Sequence, residues 1–135
     1  MKKTEIESDM IVKRGEVYMF RVSRKETEGT EQQKNRPAVI VSTNKLNRKN
    51  FRFVAVPITS KKIEKTYEFD SLINVGEKKG KALCDQLKVY NETRIIKKHG
   101  KLGTLSEKEM KEIGEKILLL LDFEELVDLY WEIYE

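Results

Sequence analysis

Apolar residues recur along the chain in short runs that predict a series of β-strands. Residues 11–22 and residues 51–58 combine β-branched and aromatic side chains over the length of a strand. Between them, residues 38–42 form a nearly continuous apolar run. This run predicts a central strand that is covered on both faces and paired as a hairpin with residues 51–58. Shorter strand candidates follow at residues 67–69, 72–75, 82–90 and 94–98.

The apolar spacing changes at Ser106, where the pattern predicts the start of a helix. Ser106 and Glu109 match a capping box, and Leu105 can pack against Met110 across the first turn. Apolar residues at helical spacing then predict a stripe that faces the core; they are Met110, Ile113, Ile117, Leu120 and Leu121. Because strands come first and helices last, we expect an α+β domain built on a small, curled antiparallel β-barrel with a C-terminal helix.

The chain divides into three parts. Residues 1–10 have no apolar period and are expected to form a flexible N-terminal arm. Residues 11–123 contain the predicted strands and the first helix, and residues 124–135 form an acidic amphipathic extension. Inside the domain, residues 23–35 form a charged loop that is long for a hairpin connection, and such loops often have a function. Residues 44–50 are predicted to form a polar turn.

Charge is distributed unevenly along the chain. The formal net charge is +4, with 27 Lys and Arg against 23 Asp and Glu. Six of the acids lie in residues 122–135, which contain no Lys or Arg, so residues 1–121 have 17 acids against 27 bases and a balance of +10. A basic body suits a polyanion such as nucleic acid, which is bound largely through counterion release. Lysine-rich surfaces are also common on proteins that bind no polyanion.

Composition excludes or disfavours several classes of site. The single cysteine, Cys84, rules out an intramolecular disulfide framework, and with one histidine, His99, a Cys/His zinc site is disfavoured. His99 lies in a basic turn, which favours an exposed loop position over catalysis. The glycines are too scattered for a phosphate-binding loop, and Asp85 and Glu31 are the only appealing carboxylates for a metal nuclease. We therefore expect neither a metal nor a cofactor. The charged N-terminus and the lack of a long apolar segment predict a cytoplasmic protein.

A different chemistry is available at the Arg36-Pro37 step before the central strand. Pro37 restrains Arg36 to extended geometry and leaves its guanidinium free, although a single Arg-Pro step is most often only structural. An arginine fork matches the oxygens of a phosphate, and Thr59, at the end of the next apolar strand, can hydrogen-bond the same group. RNA suits such a site because its own 2′-hydroxyl is the nucleophile, so neither a metal nor a covalent intermediate is needed.

Five segments, in the right order, resemble the MazF/PemK (Kid) toxins, which are ribosome-independent endoribonucleases of bacterial toxin–antitoxin pairs. Each segment is a weak motif alone, and together they span roughly residues 11–123. The segments are residues 11–18, residues 29–32 with Arg36-Pro37, residues 56–60, residues 85–87, and Leu105-Ser106 with the helix to Phe123. The family has a small barrel with a C-terminal helix and is usually homodimeric. The resemblance therefore implies the fold predicted above, single-stranded RNA as substrate and a cognate antitoxin as partner.

The resemblance also implies roles for individual residues. Arg36 and Thr59 would be the catalytic pair, with Glu31 as a third catalytic residue. Glu31 is the better candidate base, because an arginine has a pKa above ~12. Cleavage in the family needs no metal and proceeds by 2′-hydroxyl attack to a 2′,3′-cyclic phosphate and a 5′-hydroxyl end. The expected RNA contacts have amide, hydroxyl or ammonium groups that suit single-stranded RNA; they are Gln32, Ser60, Lys61, Gln86 and Lys88.

The chain departs from the family pattern in three places. The loop before Arg36 is longer, Glu16 replaces the usual aspartate, and residues 124–135 extend past the usual end. Two interpretations of this extension are open. Its apolar face can pack on the barrel or on a dimer partner, or its acids can lie over the basic groove and weaken RNA binding.

Two other functions remain open on the same fold. One is a non-enzymatic gyrase poison resembling CcdB, whose C-terminal aromatic contacts invite comparison with Trp131 and Tyr134. In such a protein Arg36, Thr59 and Gln86 would have no role. The other is a nucleic-acid-binding barrel without catalysis, in which Arg36→Ala would lower affinity and there would be no cleavage to lose.

Overall fold

The computed structural model describes residues 11–21, 35–49 and 51–134. The predicted N-terminal arm and residues 23–34 of the predicted loop lie outside this range. Seven strands, three α-helices and several short 3-10 turns are present in the described residues. The strands are β1 (Glu16–Phe20), β2 (Arg36–Ile40), β3 (Arg52–Thr59), β4 (Asp70–Val75), β5 (Lys78–Leu83), β6 (Lys88–Asn91) and β7 (Lys101–Thr104), and the helices are α1 (Asn44–Lys49), α2 (Glu107–Leu120) and α3 (Glu124–Tyr134).

The strands form one antiparallel sheet around β3. The order is β4-β5-β3-β2-β1-β7, and β6 pairs with β3 beside β5. One edge of β3 pairs with β2, and the other edge pairs first with β6 and then with β5. Pro57 falls between the stretches of β3 that pair with β6 and with β5, so its missing N–H interrupts neither ladder. The predicted hairpin between the apolar run and the third strand is confirmed.

The sheet curls until its two edges approach each other. A Cβ atom at Gly103 of β7 would lie 3.0 Å from the side chain of Val75 in β4, so glycine permits this close approach. The ladder between β1 and β7 also shifts register between Val17 and Tyr18, and such an irregularity increases local twist. The result is the curled antiparallel sheet with C-terminal helices that the sequence predicts.

Two apolar clusters form the core, one on each face of the sheet. The first lies beneath α2 and joins strand residues such as Val39 and Val56 to Leu105, Met110 and Ile113. The second is Val12, Tyr18, Phe20, Ala38, Ile40, Phe53, Ala55, Tyr90 and Ile95. The capping box at Ser106 is present in full, and Leu105 and Met110 lie in one cluster as predicted. Leu121 is 53% exposed, so the predicted core stripe of α2 does not extend to its end.

The predicted polar turn at residues 44–50 is wrong, because residues 44–49 form helix α1. Thr43 Oγ1 accepts the N–H of Leu46 and so satisfies a donor at the helix start. Asn47 is buried and bonds the hydroxyl and carbonyl of Ser42. The polar composition of residues 44–50 therefore did not indicate a helix, although side-chain hydrogen bonds stabilise one there.

Three predicted strands are also corrected. The single strand predicted at residues 82–90 is wrong, because a 3-10 turn at Cys84–Gln86 separates two strands, β5 and β6. These two strands pair with different halves of the same edge of β3. The strand at residues 94–98 is replaced by 3-10 turns at Glu92–Arg94 and Lys97–His99. Residues 67–69 contain a turn, in which the N–H of Asp70 donates to the carbonyl of Tyr67.

The acidic extension forms α3, which packs mainly on α2. A Cβ atom at Gly114 would lie 3.1 Å from the hydroxyl of Tyr130, so glycine lets the two helices approach closely. The indole N–H of Trp131 donates to Glu115, and the ammonium of Lys111 lies 4.1 Å from the Trp131 ring centre. The apolar residues of α3 are thus divided between two sides, and one stripe stays exposed to solvent: Leu126, Leu129 and Ile133.

None of the helices in the described part of the chain is long and apolar enough to cross a membrane.

Candidate active site

Arg36 and Thr59 lie at facing positions on neighbouring strands. The antiparallel ladder between β2 and β3 pairs Ile40 with Ala55 and ends with Ala38 opposite Pro57. Two residues further in the same register, the first residue of β2 is opposite the last residue of β3, and these are Arg36 and Thr59. Arg36 begins its strand as predicted and its side chain is exposed.

The register places these two residues in a row that crosses the sheet. On one side Arg36 pairs with Phe20 of β1, and on the other side Thr59 pairs with Lys81 of β5, which pairs in turn with Leu72 of β4. Paired residues in an antiparallel sheet project to the same face. The arginine and the threonine therefore share a face at the end of their strands, as a joint phosphate site requires.

The hydroxyl of Thr59 is oriented by the chain that follows it. Thr59 Oγ1 accepts the backbone N–H of Lys61 at 3.1 Å, an interaction that fixes the side chain across a short turn. The hydroxyl can still donate its own hydrogen to an oxygen of a phosphate. Ser60 and Lys61 are both exposed immediately after the strand, so two of the predicted RNA contacts lie beside Thr59.

The structure brings Gln86 and Lys88 to the same region. Gln86 is exposed in the turn that joins β5 to β6, and this turn contacts β3. Lys88 pairs with Ala55 of β3, so its side chain shares the face of Thr59, and its ammonium lies 5.4 Å from the ring centre of Tyr90. The other predicted site residues, Glu31 and Gln32, lie outside the described residues.

The sequence interpretation missed a buried ion pair next to this row. Lys81 Nζ lies 3.1 Å from Asp70 Oδ2, and the side chains are only 5% and 7% exposed. Lys81 also donates to the carbonyl of Lys65 at 2.7 Å, while Asp70 accepts the N–H of Tyr67 at 2.9 Å. The pair therefore holds the loop that follows Thr59. The feature of the sequence that could have indicated this pair is Lys81 itself, a lysine that directly precedes the predicted strand at residues 82–90 and was not included in it.

Burial strongly raises the pKa values of two side chains, Tyr18 and Cys84. Burial raises the pKa of Tyr18, and the hydrogen bond from its hydroxyl to Glu16 Oε1 at 2.7 Å raises it further. Burial also raises the pKa of the Cys84 thiol to about 12. Glu16, which replaces the usual aspartate, accepts the N–H of Lys13 as well, so its role is to close a turn and bind Tyr18. Within residues 11–21, 35–49 and 51–134, no group of three His, Cys, Asp or Glu side chains is arranged to hold a metal ion.

The chain is similar in sequence to characterised toxins. Residues 13–121 match the family model of the PemK-like, MazF-like toxin of type II toxin–antitoxin systems. The endoribonuclease toxin MazF of Escherichia coli K12 is 34% identical over 97 residues, which cover 70% of this chain and 82% of that protein. Endoribonuclease MazF of Escherichia coli O157:H7 matches to the same extent.

Solved structures share the fold. Crystalline MazF of Deinococcus radiodurans superimposes with a TM-score of 0.67 at 23% identity, covering 84% of this chain and 99% of that one. A mycobacterial endoribonuclease solved in complex with its cognate antitoxin gives a TM-score of 0.66 at 21% identity, covering 82% and 94% of the two chains. The family model ends at residue 121, so helix α3 lies beyond it. The matched residues cover most of the chain, which belongs to the PemK-like, MazF-like toxin family of type II toxin–antitoxin systems.

Proposed function

We propose that this protein is an endoribonuclease toxin that cleaves single-stranded RNA at specific sequences, independently of ribosomes and of metal ions. Membership of a family whose relatives are named endoribonucleases supports the activity. The observation that ties the activity to this chain is the facing position of Arg36 and Thr59 at the end of two paired strands. Neighbouring lysines and the basic balance of residues 1–121 supply the charge that attracts an RNA backbone.

In the proposed reaction the 2′-hydroxyl of the RNA attacks the adjacent phosphorus. The bond from O2′ to phosphorus forms, the bond to the 5′-oxygen of the next nucleotide breaks, and the products have a 2′,3′-cyclic phosphate and a 5′-hydroxyl end. Negative charge builds on the phosphate oxygens in the transition state. The guanidinium of Arg36 suits this charge because it is always protonated and binds two oxygens at once.

Two proton transfers accompany this displacement. We assign Thr59 to orienting the scissile phosphate through its hydroxyl, because Lys61 holds Thr59 Oγ1 in place. Glu31 is the proposed base that removes the proton of the 2′-hydroxyl, since a carboxylate accepts protons at neutral pH and an arginine does not. The leaving 5′-oxygen takes up a proton, for which Arg36 is a second candidate donor beside water.

The proposed RNA contacts follow the same face of the sheet. Ser60 and Lys61 extend the site beyond Thr59, and Gln86 and Lys88 extend it along β3 toward β6. Amide and hydroxyl groups suit the edges of unstacked bases, and the lysines suit phosphates. Gln32 joins this set from the loop before Arg36 by resemblance to the family.

The proposal includes two protein partners. The mycobacterial relative was solved with its cognate antitoxin, and we propose that an antitoxin also binds this chain and blocks its RNA site. We further propose that the toxin is a homodimer acting in the cytoplasm, where mRNA cleavage would stop translation and growth. The gyrase-poison alternative has no support from Trp131, which is half-buried against α2 through Glu115 and Lys111.

The decisive experiment is cleavage of a long single-stranded RNA by the purified protein in excess EDTA, with the product ends mapped. We expect discrete fragments with cyclic-phosphate ends, which would also reveal the recognition sequence. Arg36→Ala should give no fragments, while Arg14→Ala, which removes an exposed arginine near α1, should cleave normally. Intact RNA with the wild-type protein, or equal cleavage by Arg36→Ala, would refute the proposal.

A further inference from the structure

Tyr67 is an exposed aromatic residue in the loop that follows Thr59. Its side chain is 59% exposed, although it lies between two well-paired strands, β3 and β4. The ammonium groups of Lys65 and Lys81 lie 5.6 and 5.4 Å from the centre of its ring. An exposed ring beside cations is the combination with which proteins bind single-stranded nucleic acid, because bases stack on the ring and phosphates are attracted to the cations.

The loop holds Tyr67 in a defined position. The backbone N–H of Tyr67 donates to Asp70 Oδ2 at 2.9 Å, and its carbonyl accepts the N–H of Asp70 at 3.0 Å. Lys81 Nζ bonds the carbonyl of Lys65 at 2.7 Å, and the side chain of Phe69 packs against the core. Because the backbone that carries the ring is already ordered, the loop loses little conformational freedom when a ligand binds, which favours stacking on the ring.

The ring also borders the proposed active site. Lys81 connects the two, because it pairs with Thr59 on the neighbouring strand and its ammonium approaches the Tyr67 ring. The charge of Lys81 is neutralised by Asp70, whereas Lys65 and Lys61 are exposed on the same loop. A strand of RNA held at Thr59 would therefore meet an aromatic surface and two accessible cations directly beyond it.

We propose that Tyr67 is the stacking residue of an RNA subsite adjacent to the scissile phosphate, and that its ligand is a nucleobase of the single-stranded substrate. The inference rests on the proposed endoribonuclease function and describes how the same site holds its substrate. Because every base has a π-face, Tyr67 contributes affinity and position rather than base identity. Lys65 and Lys61 contact the phosphates on either side of the stacked base.

The test uses the full-length protein and an oligonucleotide that spans the mapped cut site. A 2′-deoxy substitution at the cut nucleotide removes the nucleophile, so that binding is measured without cleavage. The fluorescent base 2-aminopurine is placed at each neighbouring position in turn, because stacking on a ring quenches its emission. Tyr67→Leu keeps an apolar side chain without a π-face, and Tyr67→Phe keeps the face. Phe51→Leu is the matched control, since Phe51 is 57% exposed at the opposite end of β3.

We expect the wild-type protein to quench 2-aminopurine at one position. Tyr67→Leu should abolish that quenching and weaken binding by about 5- to 150-fold, the range of one base–aromatic stack. Tyr67→Phe and Phe51→Leu should behave like the wild type. The inference is overturned if Tyr67→Leu still binds and quenches normally, or if an abasic nucleotide at the quenched position weakens binding to Tyr67→Leu as much as to the wild type.

Failure of the proposed function gives a different result. In that case the wild-type protein would leave the all-ribose oligonucleotide intact, or Arg36→Ala would cleave it at the wild-type rate, whatever the Tyr67 variants do. If Arg36→Ala loses cleavage but Tyr67→Leu binds and cleaves the RNA as the wild type does, only the stacking subsite is overturned.

Discussion

Arg36 and Thr59 face each other where β2 begins and β3 ends, although 22 intervening positions separate them in the sequence. The ladder between these strands stops at Ala38 and Pro57, because Pro37 has no N–H with which to continue it. Beyond this point β2 and β3 no longer pair with each other, although Arg36 still pairs with Phe20 of β1 and Thr59 with Lys81 of β5. The guanidinium and the hydroxyl are therefore presented on the same face at the end of the hairpin.

Thr59→Val should reduce the cleavage rate by about 10²-fold, the loss typical of one hydrogen-bond donor to a transition-state oxyanion. Valine keeps the shape of threonine but removes the hydroxyl, and it also removes the acceptor for the N–H of Lys61. Thr59→Ser restores both interactions and should stay within a few-fold of the wild type. Single-turnover cleavage of the mapped RNA measures the effect. A Thr59→Val enzyme as fast as the Thr59→Ser enzyme would contradict a role for the hydroxyl.

Lys81→Met should destabilise the fold by about 3–5 kcal/mol, because it leaves the buried carboxylate of Asp70 without its partner. Lys101→Met is the matched control. Lys101 lies 3.6 Å from Glu16 but its side chain is 50% exposed, so the loss should be within about 1 kcal/mol. Urea denaturation measured by far-ultraviolet circular dichroism gives both values. Equal losses for the two lysines would show that burial does not strengthen the Asp70 pair.

Cys84 should react very slowly with a thiol reagent such as DTNB at pH 8. The side chain is buried, and its pKa is raised to about 12, so both access and thiolate are lacking. Between pH 8 and 9.5 the labelling rate of the folded protein should rise by about tenfold per pH unit without levelling off, because the thiolate fraction stays small below the raised pKa. The same protein in denaturant should react at once and show the pH dependence of an ordinary thiol. A labelling rate of the folded protein that follows an ordinary thiol pKa near ~8.5 would contradict the buried placement.

The free energy of unfolding should fall as the pH rises above about 9, the ordinary pKa of a cysteine, and more steeply above about 10, that of a tyrosine. Tyr18 and Cys84 have pKa values that are higher in the folded protein than in the unfolded chain. Above the unfolded values, the unfolded chain has released these protons while the folded protein retains them, so alkali favours unfolding. At neutral pH both groups are protonated in the folded protein and in the unfolded chain, so this loss of stability has not begun.

Tyr18→Phe isolates the tyrosine in this alkaline loss. The variant lacks the hydrogen bond to Glu16 and should be less stable at pH 8, but its stability should decline less steeply above pH 10. Urea midpoints at several pH values measure the slope. A Tyr18→Phe slope parallel to that of the wild type would refute the assignment.

Deletion of residues 124–135 should leave the RNA cleavage rate and its salt dependence unchanged. Helix α3 packs mainly on α2 through Tyr130 and Trp131, which favours a structural role for the extension over a mask on the basic face. If its acids did cover the RNA site, deletion would increase the rate and steepen the dependence on salt. Initial rates at a series of salt concentrations distinguish the two interpretations.

The sequence alone determined the order and type of the main elements. Alternating and continuous apolar runs identify β1, β2 and β3, and the capping box at Ser106 identifies the start of α2. These signals depend on neighbours within a few residues, and so does the restraint that Pro37 places on Arg36. Local chemistry was therefore sufficient for the fold class and for naming Arg36 and Thr59 as candidates.

Only the tertiary structure decided how these elements meet. The pairing of β3 with β6 and then β5 splits the predicted strand at residues 82–90, and no local pattern specifies two partners for one edge. The register between β3 and β5 places Lys81 opposite Thr59. The ammonium of Lys81 is buried there and pairs with the carboxylate of Asp70. The division of the α3 apolar face between α2 and solvent likewise depends on helix packing. Such contacts join residues far apart in the chain, so they follow from the packed sheet rather than from periodicity.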